Sequence, residues 1–92
     1  MKQTIVIADD FANTRWVVEF SLKPLKADIL SAENGKDALK YFDGRKIDLL
    51  ITDYNMPEVN GIDLVREIRK MEEYMHIPIL MLTTERNPKV RQ

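Results

Sequence analysis

The sequence contains no cysteine and no apolar run long enough to cross a membrane. Without cysteine, the chain forms neither a disulfide nor a metal site with thiolate ligands. A membrane-spanning helix needs at least about 18 consecutive apolar residues. The N-terminal Met1-Lys2-Gln3 leads directly into a short apolar run, with no signal-peptide pattern. We therefore expect a cytoplasmic protein that has no membrane partner.

The sequence also lacks an excess of charge of either sign. Its 92 residues include 14 basic and 15 acidic side chains, which give a net charge of −1. Nucleic-acid-binding domains carry a basic patch that neutralises phosphates, so we expect no direct contact with DNA or RNA. The contents of 45% hydrophobic and 32% charged residues are those of ordinary globular proteins. A chain of this length forms at most one domain, residues 1–92.

Short runs rich in β-branched residues alternate along the chain with segments of helical periodicity. The predicted strands lie near Thr4–Ala8, Asp28–Ala32, Asp48–Thr52 and Ile79–Thr83. The predicted helices lie near Asn13–Leu25, Gly35–Phe42 and Gly61–Met75. Alternation of this kind predicts an α/β fold, in which a doubly wound parallel sheet has helices on both faces.

Carboxylates follow two of the predicted strands. Asp9 and Asp10 end the first strand, and Asp53 ends the third. If these strands are neighbours, the three side chains converge at the carboxyl edge of the sheet. Carboxylates about 4 Å apart repel by roughly 4 kcal/mol per pair at an effective dielectric constant near 20, so the cluster needs a cation or shared protons. Oxygen ligands favour a hard divalent ion, and we predict a Mg²⁺ site here.

A simpler interpretation of the first acidic pair is helix capping. Asp9 and Asp10 precede the predicted first helix, and carboxylates are favourable at the N-terminus of a helix. Capping does not, however, require Asp53 at the end of a second strand. We therefore expect capping to be at most part of the explanation.

Four spaced motifs resemble the receiver domain of two-component response regulators, and most closely the stand-alone chemotaxis (CheY) type. The motifs are Asp9-Asp10, Asp53 with Asn55-Met56-Pro57, Gly61, and Thr83-Thr84-Glu85. The resemblance covers essentially the whole chain. It implies a flavodoxin-like fold with strand order 2-1-3-4-5.

The resemblance also implies roles for individual residues. Asp53 would be the phosphoacceptor for a histidine kinase or phosphotransfer domain, and Asp10 a direct Mg²⁺ ligand. Asp9 would act on the ion through water, and Asn55 would bind it through its backbone carbonyl. Thr83 would donate a hydrogen bond to the phosphoryl group, whereas Asn55 and Glu85 would tune dephosphorylation. The domain would not be an enzyme but would signal to a downstream protein by a change of its surface.

The physical chemistry of these residue types agrees with such roles. A carboxylate attacks phosphorus only when its own charge and that of the phosphoryl oxygens are neutralised, and Mg²⁺ held by Asp10 and Asp53 would do this. Thr83 has the alternative role of simply ending its strand. A phosphatase is the weaker hypothesis, because the run Asp53-Tyr54-Asn55 lacks the second acid that would serve as general acid.

The sequence departs from the family pattern at its end. Asn87 followed by Pro88 is typical of the start of a helix, yet the sequence stops at Gln92. Receiver domains continue through a fifth strand, which carries a lysine close to the acceptor, and a last helix. We therefore expect an incomplete sheet of order 2-1-3-4, and the alternative function is a phosphorylation-impaired interaction or folding fragment. An apolar fourth strand at the sheet edge predicts either a homo-oligomer formed through this strand or a chain that is only marginally folded.

The predicted first helix carries an aromatic pair away from its apolar stripe. An angular count at about 100° per residue places Val17, Val18, Ser21, Leu22 and Leu25 on the predicted core stripe. Trp16 and Phe20 lie off this stripe, four residues apart. They either pack on the flank of the helix or form a partly exposed surface for a helical partner.

Overall fold

Residues 2–82 are described by a computed structural model of the chain. The strands are β1 (Thr4–Ala8), β2 (Asp28–Ala32), β3 (Leu49–Asp53) and β4 (Ile79–Leu82). The helices are α1 (Ala12–Leu22), α2 (Gly35–Leu39) and α3 (Gly61–Arg69). Three predictions concern positions outside the described residues. They are the helix near Asn87, the strand end at Thr83, and the lack of a fifth strand and last helix.

All four strands are parallel and lie in the order β2-β1-β3-β4, as predicted. In the centre of the sheet, Val6 of β1 is paired with Leu30 of β2 and with Leu50 of β3. The carboxyl ends of β1 and β3 are therefore neighbours, which is the condition for convergence of the acidic residues.

The core consists of one hydrophobic cluster on each face of the sheet. Along β1, Val6 and Ala8 face one cluster, whereas Ile5 and Ile7 face the other. Helices α2 and α3 contribute residues such as Leu64 to the first cluster, and α1 packs against the second. The central strands are apolar on both sides because both faces are covered, which confirms the doubly wound arrangement. Among residues 2–82, no helix is long and apolar enough to span a membrane.

Helix α1 covers the sheet with a narrower stripe than predicted. Val18 and Leu22 pack against the core, but Val17, Ser21 and Leu25 are exposed, so the prediction was wrong for these three. Val17 and Ser21 lie on the edge of the stripe furthest from Leu22. Leu25 is not on α1 at all.

Proline ends α1 three residues earlier than predicted. Pro24 has no N–H to donate to a helical carbonyl, and its ring crowds the preceding turn. The segment Lys23–Leu25 forms a 3₁₀ turn, and Lys26 then adopts a left-handed conformation with φ of 54°. The chain is thereby redirected into β2.

The other two helices also end earlier than predicted. After α2, the N–H groups of Lys40, Tyr41 and Phe42 bond to carbonyls three residues back, which is a tighter turn than an α-helix. After α3, Tyr74 leaves the helical path and is buried with its ring edge against Phe42. Its hydroxyl accepts the Gly44 N–H and donates to the Arg45 carbonyl. Packing of Tyr74 thus overrides the helical pattern of the sequence.

Candidate metal centre

Asp9, Asp10 and Asp53 come together at the carboxyl ends of β1 and β3. Each of them offers a carboxylate oxygen that lies within 4.8 Å of those of the other two. The cause is the strand register, because Ala8 is paired with Thr52 and the acidic residues follow these two positions. The convergence predicted from the sequence is therefore present.

Two of the three carboxylates are buried. Asp9 is 0% exposed and Asp53 is 1% exposed, whereas Asp10 is half-buried. Burying a charge is costly unless hydrogen bonds or opposite charge compensate it. The backbone N–H of Phe11 donates to Asp9 Oδ1 at 2.9 Å, and that of Tyr54 donates to Asp53 Oδ1 at 2.8 Å. These bonds orient the two carboxylates relative to the backbone.

The bond from Phe11 shows that Asp9 also serves the start of α1. Phe11 is the N-cap residue of this helix, and its own side chain makes no capping bond. Asp9 accepts its N–H instead. Capping accounts for one bond of Asp9, but it does not account for the position of Asp53 beside the acidic pair.

The donor set is suited to a hard divalent cation. Mg²⁺ prefers oxygen ligands, keeps several of its waters and uses one or two protein carboxylates. Three carboxylates at the ends of two neighbouring strands provide more negative charge than Mg²⁺ requires, and Asp10 is partly exposed to solvent. The residues present therefore fit Mg²⁺.

The loop after Asp53 is held against the start of α3. The Gly61 N–H donates to the Tyr54 carbonyl at 3.0 Å, and Asn60 caps α3 by accepting the Asp63 N–H at 2.9 Å. A side chain at residue 61 would collide with the Asp53 carbonyl oxygen. Gly61 thus permits a close approach between the backbones of β3 and α3.

The remaining predicted site residues are less closely defined by the structure. Asn55 is exposed in the loop between β3 and α3. Thr83 and Glu85 lie outside the described residues, although β4 reaches the site, since Leu82 is paired with Asp53 and accepts the Tyr54 N–H at 3.2 Å. The roles of Asn55, Thr83 and Glu85 stay predictions.

Two other residues at the site, and a third that contacts the adjoining loop, were not identified from the sequence. The Arg15 guanidinium donates to the Asp9 carbonyl at 2.6 Å, and the buried Thr52 hydroxyl donates to the Asp53 carbonyl at 3.0 Å. The third, Gly35, contacts the loop after β3. A basic residue on α1 shortly after an acidic pair is a usable signal for Arg15, whereas nothing in the local pattern indicates the contact of Gly35.

The aromatic pair on α1 is exposed, as the interpretation of the pair as a surface for a helical partner requires. Trp16 is 64% exposed and Phe20 is 59% exposed, and their rings stack with centroids 5.3 Å apart. The pair borders a cleft of about 540 Å³ beside the outer strand β2, which Leu22 and Ile29 also line. A partner for this surface stays a prediction.

Comparisons with known proteins identify the family of the chain. The family model of the response regulator receiver domain matches residues 5–92. Chemotaxis protein CheY1 of Helicobacter pylori is 40% identical over 83 residues, which are 88% of this chain and 67% of that protein. Chemotaxis protein CheY of Pseudomonas aeruginosa is 39% identical over 82 residues, 88% of this chain and 66% of that protein. The chain thus spans about two thirds of the length of these relatives.

Solved structures give the same result for the fold. Chemotaxis response regulator CheY4 of Vibrio cholerae superposes with a TM-score of 0.86 at 32% identity, covering 100% of this chain and 77% of that one. A response regulator receiver domain protein from Clostridium thermocellum gives a TM-score of 0.79 at 30% identity, covering 88% of this chain and 64% of that one. By fold, motifs and sequence similarity, the chain belongs to the response regulator receiver domain family, the signalling modules of two-component systems.

Proposed function

We propose that this chain is a chemotaxis-type receiver that accepts a phosphoryl group on Asp53 with Mg²⁺ as its cofactor. The observation that carries the proposal is the position of the buried Asp53 carboxylate, within 4.8 Å of those of Asp9 and Asp10. The similarity to chemotaxis proteins supports the subfamily. The phosphoryl donor would be a histidine kinase or phosphotransfer domain in the cytoplasm, and the phosphorylated surface would act on a downstream protein.

The proposed reaction is an in-line displacement at phosphorus. A carboxylate oxygen of Asp53 forms the new bond to phosphorus while the bond from phosphorus to the donor's leaving group breaks, and the leaving group keeps the electron pair. The Tyr54 N–H bond to Oδ1 orients the carboxylate for this attack. When bound, Mg²⁺ supplies the positive charge that offsets the charges of the carboxylate and phosphoryl oxygens.

The other site residues would divide the work of holding the ion and the phosphoryl group. Asp10 and Asp53 would bind Mg²⁺ directly, Asp9 would bind it through water, and the backbone carbonyl of Asn55 would complete the set. Thr83 would donate a hydrogen bond to a phosphoryl oxygen, since a hydroxyl is a suitable donor. The side chains of Asn55 and Glu85 would adjust the rate of dephosphorylation.

The test is the intact mass of the chain after incubation with acetyl phosphate and Mg²⁺. We expect an added mass of one phosphoryl group that requires Mg²⁺ and disappears in Asp53→Asn. Exposed Asp63 provides a matched control, and Asp63→Asn should be labelled like the unmodified chain. Labelling of Asp53→Asn at the unmodified rate would contradict the assignment.

A second candidate function is an interaction fragment that is impaired in phosphorylation. It is the alternative predicted from the sequence, and the chain spans about two thirds of the length of its relatives. A form extended past Gln92 to the relatives' full length distinguishes the two functions. Equal labelling of the 92-residue and extended forms supports the receiver, whereas labelling of the extended form alone supports the fragment.

A further inference from the structure

The loop from Tyr54 to Asn60 packs against the first residue of α2. Gly35 begins this helix and is buried. A Cβ atom on residue 35 would be 2.8 Å from the Val59 Cβ and closer still to the Val59 carbonyl oxygen. Real Cβ atoms essentially never come within 3.0 Å of such neighbours. Any side chain larger than hydrogen therefore displaces either the loop or the start of α2.

The start of α2 is held in place by its own contacts. Asn34 caps the helix, because its Oδ1 accepts the Asp37 N–H at 2.7 Å. The Asn34 carbonyl accepts the Ala38 N–H at 3.1 Å, and Ala38 is fully buried in the core. A conflict at Gly35 would accordingly move the loop rather than the helix.

The loop itself depends on contacts from outside. Met56 is buried and Val59 packs against the same core cluster. Between them, Glu58 has a φ of 64°, a left-handed conformation that is unfavourable for residues with a side chain and persists only when the surroundings maintain it. The contact of Val59 with Gly35 is one of the constraints that maintain it.

We infer that Gly35 is a positioning residue for the metal centre. The loop that it supports begins directly after Asp53 and carries Asn55. Displacement of Val59 would shift this loop. The backbone carbonyl of Asn55, the proposed Mg²⁺ ligand on the loop, would then move relative to Asp9 and Asp10. The inference rests on the proposed Mg²⁺ site and adds to it a link from α2 to the ion.

The experiment compares Mg²⁺ binding by the unmodified chain, Gly35→Ala and Gly44→Ala, measured by isothermal titration calorimetry. We expect Gly35→Ala to bind Mg²⁺ about tenfold more weakly, the usual effect of altering the support of a ligand. Gly44 is the control, since its φ of 105° makes alanine strained there, yet no atom lies within 4 Å of the added Cβ. Gly44→Ala should lose stability and bind Mg²⁺ like the unmodified chain.

A second measurement needs no variant and serves if Gly35→Ala does not fold. In amide NMR spectra of the unmodified chain, Mg²⁺ should shift the resonances of residues 54–56 and 58–60 and also those of residues 35–37, but not those of residues 43–46. Shifts that stop at the loop, or equal Mg²⁺ affinity of Gly35→Ala and the unmodified chain, would overturn this inference alone. If neither the unmodified chain nor Gly44→Ala binds Mg²⁺, the proposed function fails and the inference fails with it.

Discussion

The carbonyl oxygen of Asp53 lies so close to Gly61 that a Cβ atom on residue 61 would approach it within 3.0 Å. The Gly61 N–H meanwhile donates to the neighbouring Tyr54 carbonyl. The end of β3 and the start of α3 are therefore in direct backbone contact. Neither backbone can move easily, because Asp53 belongs to β3 inside the sheet and Gly61 begins a helix whose Leu64 is buried.

This contact predicts that Gly61→Ala is destabilising. Overpacking against fixed backbone costs about 1–3 kcal/mol, and we expect a loss of that size in the free energy of unfolding, measured with urea. Arg66→Ala is the control, since Arg66 is exposed on the same helix and its change should stay within about 0.5 kcal/mol. Equal stability of the two variants would contradict the close contact.

The acidic cluster predicts how Asp10→Asn changes stability. The variant should be more stable than the unmodified chain without Mg²⁺, and it should be stabilised less by Mg²⁺. Two carboxylates no more than 4.8 Å apart repel by at least roughly 3 kcal/mol at an effective dielectric constant near 20. Asp10→Asn relieves part of this repulsion, so it should raise the melting temperature in EDTA. On addition of Mg²⁺ the unmodified chain should gain more stability than the variant, because the ion binds the native cluster.

The control for this experiment is Asp63→Asn, which changes an exposed carboxylate on α3 and should leave the response to Mg²⁺ unaltered. A titration in which Asp10→Ala binds Mg²⁺ as tightly as the unmodified chain would show that Asp10 is not a ligand.

The exposed, stacked rings of Trp16 and Phe20 predict that this face of α1 contacts the kinase or phosphotransfer domain that donates the phosphoryl group. Aromatic residues are favoured as anchors of protein interfaces, and truncation of one often costs more than about 1 kcal/mol, or roughly fivefold in affinity. We expect Phe20→Ala to slow phosphotransfer from the cognate kinase while the stability changes little. Leu25→Ala is the matched control, because Leu25 is equally exposed at 59% but lies beyond the end of α1. Unchanged phosphotransfer in Phe20→Ala would exclude this surface.

The sequence could predict that each carboxylate of the acidic cluster lies at the end of a strand, because that feature is local. Asp9, Asp10 and Asp53 directly follow apolar strands, and the carboxyl ends of parallel strands share one edge of the sheet. The strand order, in contrast, depended on the resemblance to receiver domains, since periodicity alone does not specify which strands are neighbours.

Features that depend on distant contacts were not predictable in the same way. Tyr74 ends the helical pattern after α3 because its ring and hydroxyl find partners on the segment from Phe42 to Arg45. Gly35 meets Val59 only once α2 and α3 have packed on the same face. Neither contact leaves a periodic signal in the sequence. Pro24, in contrast, is a local signal for the end of α1.

At the opposite end of the sheet, Asp48 predicts a loss of stability in acid. Its carboxylate accepts bonds from Lys46 at 2.7 Å and from the Thr4 N–H at 2.8 Å. The Lys46 bond, followed by the Thr4 bond, lowers the pKa of Asp48 from its ordinary 3.8. A lowered pKa in the folded state stabilises the protein above the unfolded-state pKa, and this stabilisation is lost as the pH falls through the folded-state pKa.

We therefore expect Asp48→Asn to be less stable than the unmodified chain at neutral pH, and the difference to shrink as the pH is lowered below 3.8. Urea unfolding across this pH range provides the measurement. Asp28→Asn is the control, because Asp28 pairs with Lys2 where both side chains are more than half exposed, and such pairs contribute little. A difference that grows on acidification would refute the assigned sign.

Strand β4 predicts self-association of the 92-residue chain. Within residues 2–82 it pairs only with β3, and Leu80 at its centre is 53% exposed. Apolar side chains beside unpaired backbone groups favour strand pairing between molecules, and lysine at an edge opposes it. We expect light scattering to detect oligomers that Leu80→Lys disperses. Met75→Lys, which changes an exposed apolar residue outside the strand, should leave them intact. A monodisperse monomer with a cooperative melt above about 60 °C, near the upper end for mesophilic domains, would show that this edge does not associate.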